Sequence, residues 1–370
     1  MSHRYTPESE DIIQRMHEQH RTLLRRGRNF SLRMLFSSAE YDIAQYSREF
    51  VPSEFGRIAC ADAKSFCRER DIWLEDGGDH YNSMTPYLYN GAADAERLAM
   101  IGIYNAILFW LNDTVGREKF AHLTRGDRQR ARTSVNRLCR ILAEAEIPRN
   151  PLPVEQAMID LMAEMRRHAG HPWWEEFLAA TAAHLRAAIR DQNARARGSL
   201  LSVPEYVRER AFVSGMYPAI ALCEFGSDDF IDWDALRGLH LGSLLTRARD
   251  LTVEIGALMN DIFSFEKECI TDRADFNLIP VAMLNHPGWD LVEALRYSAN
   301  AVRERLVEFR RLQQILTNSP ACMAGIPPAL SKGIATHLRD LRGCVQATWV
   351  WQTQTLRYKG QSIFMENRLN

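Results

Sequence analysis

The chain has 370 residues, of which 46% are hydrophobic and 25% charged, and its 46 basic and 47 acidic side chains leave a formal net charge of −1. This balance provides no basic surface for nucleic acid. The chain also contains no run of about 18 apolar residues, the length needed to span a membrane. The seven cysteines are scattered without a Cys-x-x-Cys pair, and the first residues are polar, so we expect a reduced cytoplasmic protein without a disulfide framework, zinc site or signal peptide.

Helical periodicity dominates the whole chain, and the alternating pattern of strands is almost absent. Proline and glycine residues separate the periodic stretches, and the connections are short enough for one compact domain over residues 1–370. The sequence therefore predicts a single all-α domain, with weaker order at residues 1–10, 74–92 and 359–370. The predicted helices cover residues 9–27, 38–49, 53–72, 94–117, 124–145, 153–169, 173–197, 204–224, 240–268, 288–317 and 327–358.

The helix predicted over residues 94–117 is apolar until it ends in a polar run. Phe109 lies one turn before Asp113, so both side chains can face the same side of the helix. Glu118 lies about 140° round from Asp113 and would reach that side only if the helix ended or unwound. An ordinary polar helix end is the alternative interpretation of this segment.

The helix predicted over residues 204–224 contains a break signal. Pro218 has no N–H, so the carbonyl of Ser214, four residues earlier, loses its helical partner. Gly215 eases the distortion that such a break requires. A carbonyl freed in this way can stabilise a cation if it faces a cavity, whereas the alternative is a kinked helix within an ordinary core.

The helix predicted over residues 240–268 carries a buried apolar stripe on one side and a polar row on the other. Asn260, Ser264 and Glu268 are spaced i, i+4, i+8, so they fan across only about 80° of the helix. The residues near them on that arc are small and mostly uncharged, which favours a cavity wall over a solvated face. An amide oxygen, a hydroxyl and a carboxylate are hard ligands suited to Mg²⁺. The spacing leaves both interpretations open.

These segments together resemble a known family. Residues 260–268 read N-D-I-F-S-F-E-K-E, which is similar to the N-D-x-x-S-x-x-x-E metal motif of microbial class I terpene synthases. The segment at Asp113 stands where that family places its aspartate-rich motif, although Thr114 replaces the second aspartate. Residues 204–215 resemble the family's segment with a diphosphate-sensing arginine and a broken helix. Residues 351–358 resemble its carboxyl-terminal W…RY signature, and the resemblance covers roughly residues 94–358.

The resemblance implies a helical bundle with a central active-site cavity and assigns roles to individual residues. It implies metal ligands at Asp113, Asn260, Ser264 and Glu268. Asn112 and Glu118 would either bind the metal as well or contact the residues that do. It implies catalytic or diphosphate-binding roles for Arg210, Ser214, Lys267, Arg357 and Tyr358. It implies a substrate cavity lined by Phe109, Trp110, Phe212, Val213, Gly215, Phe263 and Trp351.

The implied activity is that of a terpene synthase, a lyase of isoprenoid biosynthesis. Three Mg²⁺ ions, or Mn²⁺ in their place, would bind a prenyl diphosphate, and its ionisation would give a cation that cyclises or is quenched, with inorganic diphosphate as the other product. Farnesyl diphosphate is the first choice of substrate and geranylgeranyl diphosphate the second. A chain-elongating prenyltransferase would carry two full D-D-x-x-D motifs, and a non-catalytic helical interaction protein would need no metal constellation. The sequence leaves open whether two copies of the chain form a homodimer.

Overall fold

The computed structural model describes residues 3–115, 123–144, 147–188, 190–237, 239–318 and 325–369. Within these ranges the regular structure is helical except for two short antiparallel strands, β1 (His3–Arg4) and β2 (Ser199–Leu200). The helices of the first half are α1 (Pro7–Arg25), α2 (Leu32–Phe36), α3 (Ile43–Tyr46), α4 (Gly56–Arg68), α5 (Gly78–Asn82), α6 (Thr85–Leu88), α7 (Ala95–Val115), α8 (Arg125–Glu144), α9 (Pro153–Arg167) and α10 (His171–Ala188).

The second half contains the longest helices. These are α11 (Ala194–Arg197), α12 (Val203–Val213), α13 (Met216–Ser227), α14 (Trp233–Arg237), α15 (His240–Phe265), α16 (Leu278–Asn285), α17 (Leu291–Asn318) and α18 (Pro328–Gln354). A π-helix continues α15 over Glu266–Thr271, and two 3-10 turns, Leu356–Tyr358 and Met365–Asn367, follow α18. In the part of the chain that the structure describes, no helix is both long and apolar enough to cross a membrane.

Two large hydrophobic cores hold the bundle together. The first surrounds α15, which packs against α17, α18 and α13, and it also takes in α1, α2, α12 and α16. The second is built around α7, which packs against α4 and α9, with α8, α10 and α13 completing it. Because α13 and α18 contribute to both cores, the space between the cores is enclosed on several sides. That space holds the candidate site.

The chain interrupts two of the predicted helices with local caps. In place of one helix over 38–49, the side chain of Asp42 accepts hydrogen bonds from Ala44 N and Gln45 N, which starts α3 at residue 43. In place of one helix over 173–197, α10 ends at Ala188, where Gln192 Nε2 donates to the carbonyl of Ala187. Side-chain hydrogen bonds to the backbone thus override helical periodicity at both positions.

The predicted break within residues 204–224 is present, and the longest of the helices outside the predicted ranges is α16. α12 ends at Val213 and α13 begins at Met216, with Gly215 in the left-handed region at φ 77°. The unpredicted α16 starts where Asn277 accepts a hydrogen bond from Ile279 N. Its residues Leu278 to Leu284 are all buried, so the segment has no polar face and therefore no helical period to detect.

The segments expected to be weakly ordered have defined packing. Residues 74–92 contain α5 and α6, both of which pack against α7. Near the carboxyl end, Ile363 and Phe364 are fully buried, and Asn367 Nδ2 donates to the carbonyl of Phe263 at 2.8 Å. Residues 359–369, for which weaker order was expected, thus cover the end of α15.

Candidate active site

A cavity of about 210 Å³ lies between the two cores, at the meeting point of α7, α10, α15, α18 and the break between α12 and α13. One part of its wall is apolar and includes Leu88, Leu108, Leu185 and Ala347. Another part is polar and positively charged. The polar residues of that part are Asn112, Arg210, Asn260, Glu268, Gln352, Arg357 and Tyr358. The cavity thus combines an apolar body with one end suited to an anion.

Arg210 occupies the centre of the polar end. It is buried on α12, where its Nε donates to Asp261 Oδ1 at 2.7 Å and its NH2 donates to Asn260 Oδ1 at 3.0 Å. Asp261 also accepts hydrogen bonds from the Tyr206 hydroxyl and from Leu278 N. Burial opposes the charge of Arg210, but the carboxylate of Asp261 raises the pKa of Arg210 above its ordinary value. The cavity therefore contains a fixed cation.

The polar row of α15 and the following π-helix meets the carboxyl-terminal turn here. Asn260 Nδ2 donates to the Tyr358 hydroxyl at 2.8 Å and to Gln352 Oε1 at 3.2 Å. Ser264 is fully buried one turn further along α15. Glu268 is buried within the π-helix and lines the cavity. A π-helical turn changes the direction in which its side chains point and is frequent at functional sites.

The end of α7 forms a second polar group around Asp113. Its carboxylate accepts a hydrogen bond from Asn112 Nδ2 at 3.1 Å and interacts with the hydroxyl of Tyr81 on α5. The guanidinium of Arg357 lies over the Tyr81 ring, 4.3 Å from its centroid. The Thr114 hydroxyl donates to the carbonyl of Trp110, one turn earlier on the same helix, at 2.6 Å. Thr114 therefore does not replace the charge of a second aspartate.

The break between α12 and α13 is held by contacts from two neighbouring helices. Met216 N donates to Ser214 Oγ at 3.2 Å, and the ring of His184 on α10 lies 3.1 Å from the carbonyl of Phe212 through Nδ1. Met216 in turn fits against Gly256 on α15, where an added Cβ would lie 2.6 Å from the Met216 methyl group. The cavity wall at this point depends on close approach of three helices.

The structure brings most of the predicted site residues to one cavity. Those that line it are Phe109, Asn112, Arg210, Val213, Ser214, Gly215, Asn260, Glu268, Trp351, Arg357 and Tyr358. Asp113 and Ser264 are not among the lining residues but neighbour residues that are. Lys267 lies 3.3 Å from Asp272 through Nζ. Glu118 lies outside the described residues.

Three residues predicted to line the cavity are not among the residues that line it in the structure. Phe212 is 48% exposed and its ring contacts Tyr217. Phe263 is fully buried against Phe36 and Trp349 in the first core. Trp110 packs against the second core. Helical spacing alone did not distinguish these positions from those of Phe109 and Trp351.

Other residues of the site gave no signal in the sequence. Tyr81 comes from a segment expected to be weakly ordered, and His184 lies in an alanine-rich stretch of α10 that matches no motif. Gln352 is buried, lines the cavity and accepts a hydrogen bond from Asn260 Nδ2. Asp261, inside the motif itself, holds Arg210 rather than facing the cavity. Each of these side chains acquires its position only from tertiary contacts.

The residues present fit a hard divalent cation. Ser264 Oγ is buried and, among the residues that the structure describes, has no hydrogen-bond partner. Orphaned buried hydroxyls are rare because burial of an unpaired polar group is costly. With the amide of Asn260 and the carboxylate of Glu268 beside it, this oxygen completes a set of donors that Mg²⁺ prefers.

Comparison with known proteins agrees with this geometry. Residues 104–308 match the family model described as terpene synthase family 2, C-terminal metal binding. This match covers more than half of the chain, so the chain belongs to the terpene synthase family. The family predicted from the sequence motifs is thereby confirmed, and the description of the family states that the matched region binds metal.

Two curated relatives are similar over part of their length. The sesquiterpene synthase Agr8 of Cyclocybe aegerita is 27% identical over 236 residues, which cover 61% of this chain and 62% of the relative. A germacrene A synthase of Nostoc punctiforme is 30% identical over 132 residues, 36% of this chain and 40% of the relative. The chain thus matches less than two thirds of the length of each.

Solved structures of terpene synthases have the same fold. The match to an a-eudesmol synthase covers 82% of this chain and 96% of the synthase chain, with a TM-score of 0.66 and 19% sequence identity. A linalool/nerolidol synthase from Streptomyces clavuligerus matches 83% of this chain and 97% of its own with a TM-score of 0.65 at 20% identity. The predicted all-α fold of the class I terpene synthase type is confirmed.

Proposed function

We propose that this protein is a Mg²⁺-dependent terpene synthase that ionises a prenyl diphosphate, with farnesyl diphosphate as its substrate. The observation that carries the proposal is the cavity itself, in which Arg210, Arg357 and Tyr358 meet Asn260 and Glu268 at one end of an apolar space. The preference for farnesyl diphosphate rests on curated relatives whose names include sesquiterpene synthase, Agr8 among them, since sesquiterpenes carry the fifteen carbons of the farnesyl chain.

Binding of the diphosphate falls to the residues of the polar end. Arg210 is held in place by Asp261, so its free donors can be directed at an anion without reorganisation. Arg357 and the Tyr358 hydroxyl would add charge-assisted hydrogen bonds from the carboxyl-terminal 3-10 turn. Mg²⁺ held by Asn260, Ser264, Glu268 and Asp113 would supply the positive charge that stabilises the leaving diphosphate.

The apolar part of the cavity would fold the prenyl chain and exclude water. Phe109 and Trp351 line it, and aromatic faces attract a cation through their quadrupole. The Trp351 indole is fixed because its Nε1 donates to Ser83 Oγ at 3.0 Å. Exclusion of water matters because water would quench a free carbocation before it rearranged.

The test is a direct assay of the purified chain with geranyl, farnesyl and geranylgeranyl diphosphates. We expect release of inorganic diphosphate that requires Mg²⁺, stops with EDTA and is fastest with farnesyl diphosphate, together with a terpene detected by gas chromatography. Fastest release from geranylgeranyl diphosphate would reassign the substrate. Longer prenyl chains on addition of isopentenyl diphosphate would identify an elongating enzyme, and no release from any of the three would reject the proposal.

A further inference from the structure

The ring of His184 lies against the cavity wall at the break between α12 and α13. The residue lines the cavity, and its ring atoms lie 3.2 to 3.6 Å from the position of a Cβ added to Gly215. Its Nδ1 lies 3.1 Å from the carbonyl oxygen of Phe212. A carbonyl can only accept, so Nδ1 carries the proton, and in the neutral ring Nε2 carries the lone pair.

The surroundings of His184 keep the ring neutral. Burial lowers the pKa of His184, the nearby positive charge of Arg210 lowers it further, and the hydrogen bond to Phe212 only partly offsets these effects. Among the residues that the structure describes, Nε2 makes no hydrogen bond. The cavity therefore contains one neutral imidazole with an available lone pair next to its fixed cation, Arg210.

We propose that Nε2 of His184 accepts the proton that ends the reaction. The inference rests on the proposed function. The C–H bond next to the last cationic carbon breaks, its electron pair fills the empty orbital of that carbon to form a C=C bond, and the proton moves to Nε2. The product is an alkene. The imidazolium, destabilised by Arg210 and by burial, returns its proton to water as the product leaves.

His184 suits this step because of its position and not because of its basicity. A C–H bond beside a carbocation is far more acidic than an imidazolium, so even an imidazole of lowered pKa is a sufficient base if it lies within reach. The neighbouring cavity groups Arg210 and Arg357 have no lone pair to offer. The hydrogen bond from Nδ1 fixes the ring orientation, so the proton acceptor is in place before any cation forms.

The test separates the two nitrogens. In His184→Asn the amide N–H can reproduce the hydrogen bond of Nδ1 to Phe212, while the lone pair of Nε2 is lost. We expect the major alkene of the wild type to fall about tenfold or more as a share of total products, since a general base typically contributes about 100-fold or more. Diphosphate release should fall less, because ionisation precedes the step. Other alkenes or alcohols should replace the lost product.

A matched control is His17→Asn, because burial also lowers the pKa of His17 but the residue does not line the cavity. Its product profile should equal that of the wild type. An unchanged profile in His184→Asn would overturn the inference. A wild type that forms only alcohols would overturn it as well. Absence of diphosphate release by the wild type would instead reject the proposed function, and the inference with it.

Discussion

Arg210 and Arg208 stand on the same helix with opposite surroundings. Arg210 is buried and paired with Asp261, whereas Arg208 is exposed. If Arg210 binds the leaving diphosphate, its loss removes charge-assisted hydrogen bonds worth about 1.5–3 kcal/mol each, or roughly 10- to 150-fold in rate. We expect Arg210→Ala to slow diphosphate release by that factor and Arg208→Ala to leave it nearly unchanged.

Stability measurements accompany this comparison, because Arg210→Ala leaves the buried carboxylate of Asp261 without its partner. The double variant Arg210→Ala with Asp261→Asn restores a neutral pair. If its melting temperature recovers while diphosphate release stays slow, the rate loss belongs to Arg210 itself. Equal rate losses for the variants of Arg208 and Arg210 would contradict the assignment.

Asn260 and Asp261 are adjacent in the motif but differ in what they hold. Asn260 lines the cavity and bonds to Arg210 and Tyr358, whereas Asp261 is fully buried and bonds to Arg210, Tyr206 and Leu278. We expect Asn260→Ala to nearly abolish turnover with its circular dichroism intact. Asp261→Ala should lower the melting temperature as well, because it removes the partner of a buried charge. Wild-type product formation by Asn260→Ala would contradict the metal role.

At the scale of elements, the break between α12 and α13 depends on Gly215. Its φ of 77° is in the left-handed region, which costs other residues about 1–2 kcal/mol, and an added Cβ would lie 3.2 Å from His184 Cε1. We expect Gly215→Ala to lower the free energy of unfolding by about that amount and to reduce turnover. Gly288→Ala is the control, since Gly288 has no heavy atom near its added Cβ. Urea denaturation of both variants measures the difference.

The carboxyl-terminal segment is a second element with a measurable contribution. Phe364 is fully buried and meets the ring of Phe265, whereas its neighbour Met365 is 57% exposed. Truncation of a buried phenylalanine typically costs about 3–5 kcal/mol. We expect Phe364→Ala to lose a free energy of unfolding in that range by urea denaturation, and Met365→Ala to change it by less than about 0.5 kcal/mol. Similar small effects in both would mean that the segment does not hold the end of α15.

The sequence predicts the limits of some helices and not of others. The break at Gly215 was predictable because Pro218 acts four residues away on the same helix. The limits of α3 and α10 were not, since Asp42 and Gln192 act as caps only when the chain already turns there. The helix α16 was missed because its period is hidden by complete burial. A helix break that is encoded within one helix can be predicted from the sequence. The outcome of its competition with tertiary burial cannot.

The same division applies to the site. Residues fixed by a motif on one helix, such as Asn260 and Glu268, were located by spacing and resemblance together. Tyr81 on α5 contacts Asp113 and Arg357, and His184 on α10 lines the cavity. Only the packing of these helices against α7 and α13 determines their neighbours. Phe212 and Phe263 illustrate the converse, since aromatic residues on the right helices face away from the cavity.

At the scale of the whole molecule, buried carboxyl groups make stability depend on pH. Glu224 is buried on α13, accepts hydrogen bonds from Ile231 N and Trp233 Nε1, and has its pKa raised from 4.5 to about 7, chiefly by burial. The native state therefore holds a proton that the unfolded chain releases. The resulting stabilisation is full below pH 4.5 and is lost as the pH rises through about 7.

We expect the free energy of unfolding to fall between pH 5 and pH 8, and to fall by about 2 kcal/mol less in Glu224→Gln, which has no proton to lose. Glu304→Gln on the exposed face of α17 is the control and should keep the wild-type dependence. Denaturant titrations at several pH values measure these slopes. A Glu224→Gln variant with the full wild-type dependence would show that other buried groups, such as Asp340, account for it.

The anchoring of residues 359–369 has a consequence for the order of events during synthesis. Glu266, which begins the π-helix, accepts hydrogen bonds from His20 Nε2, Ser362 Oγ and Ile363 N, so it joins both ends of the described chain to the helix of the metal motif. A nascent chain that has emerged only through α17 has made the motif but lacks Arg357, Tyr358 and this cover. Assembly of the diphosphate end of the cavity therefore waits for residues 357–363, which are synthesised after every described α-helix that lines the cavity.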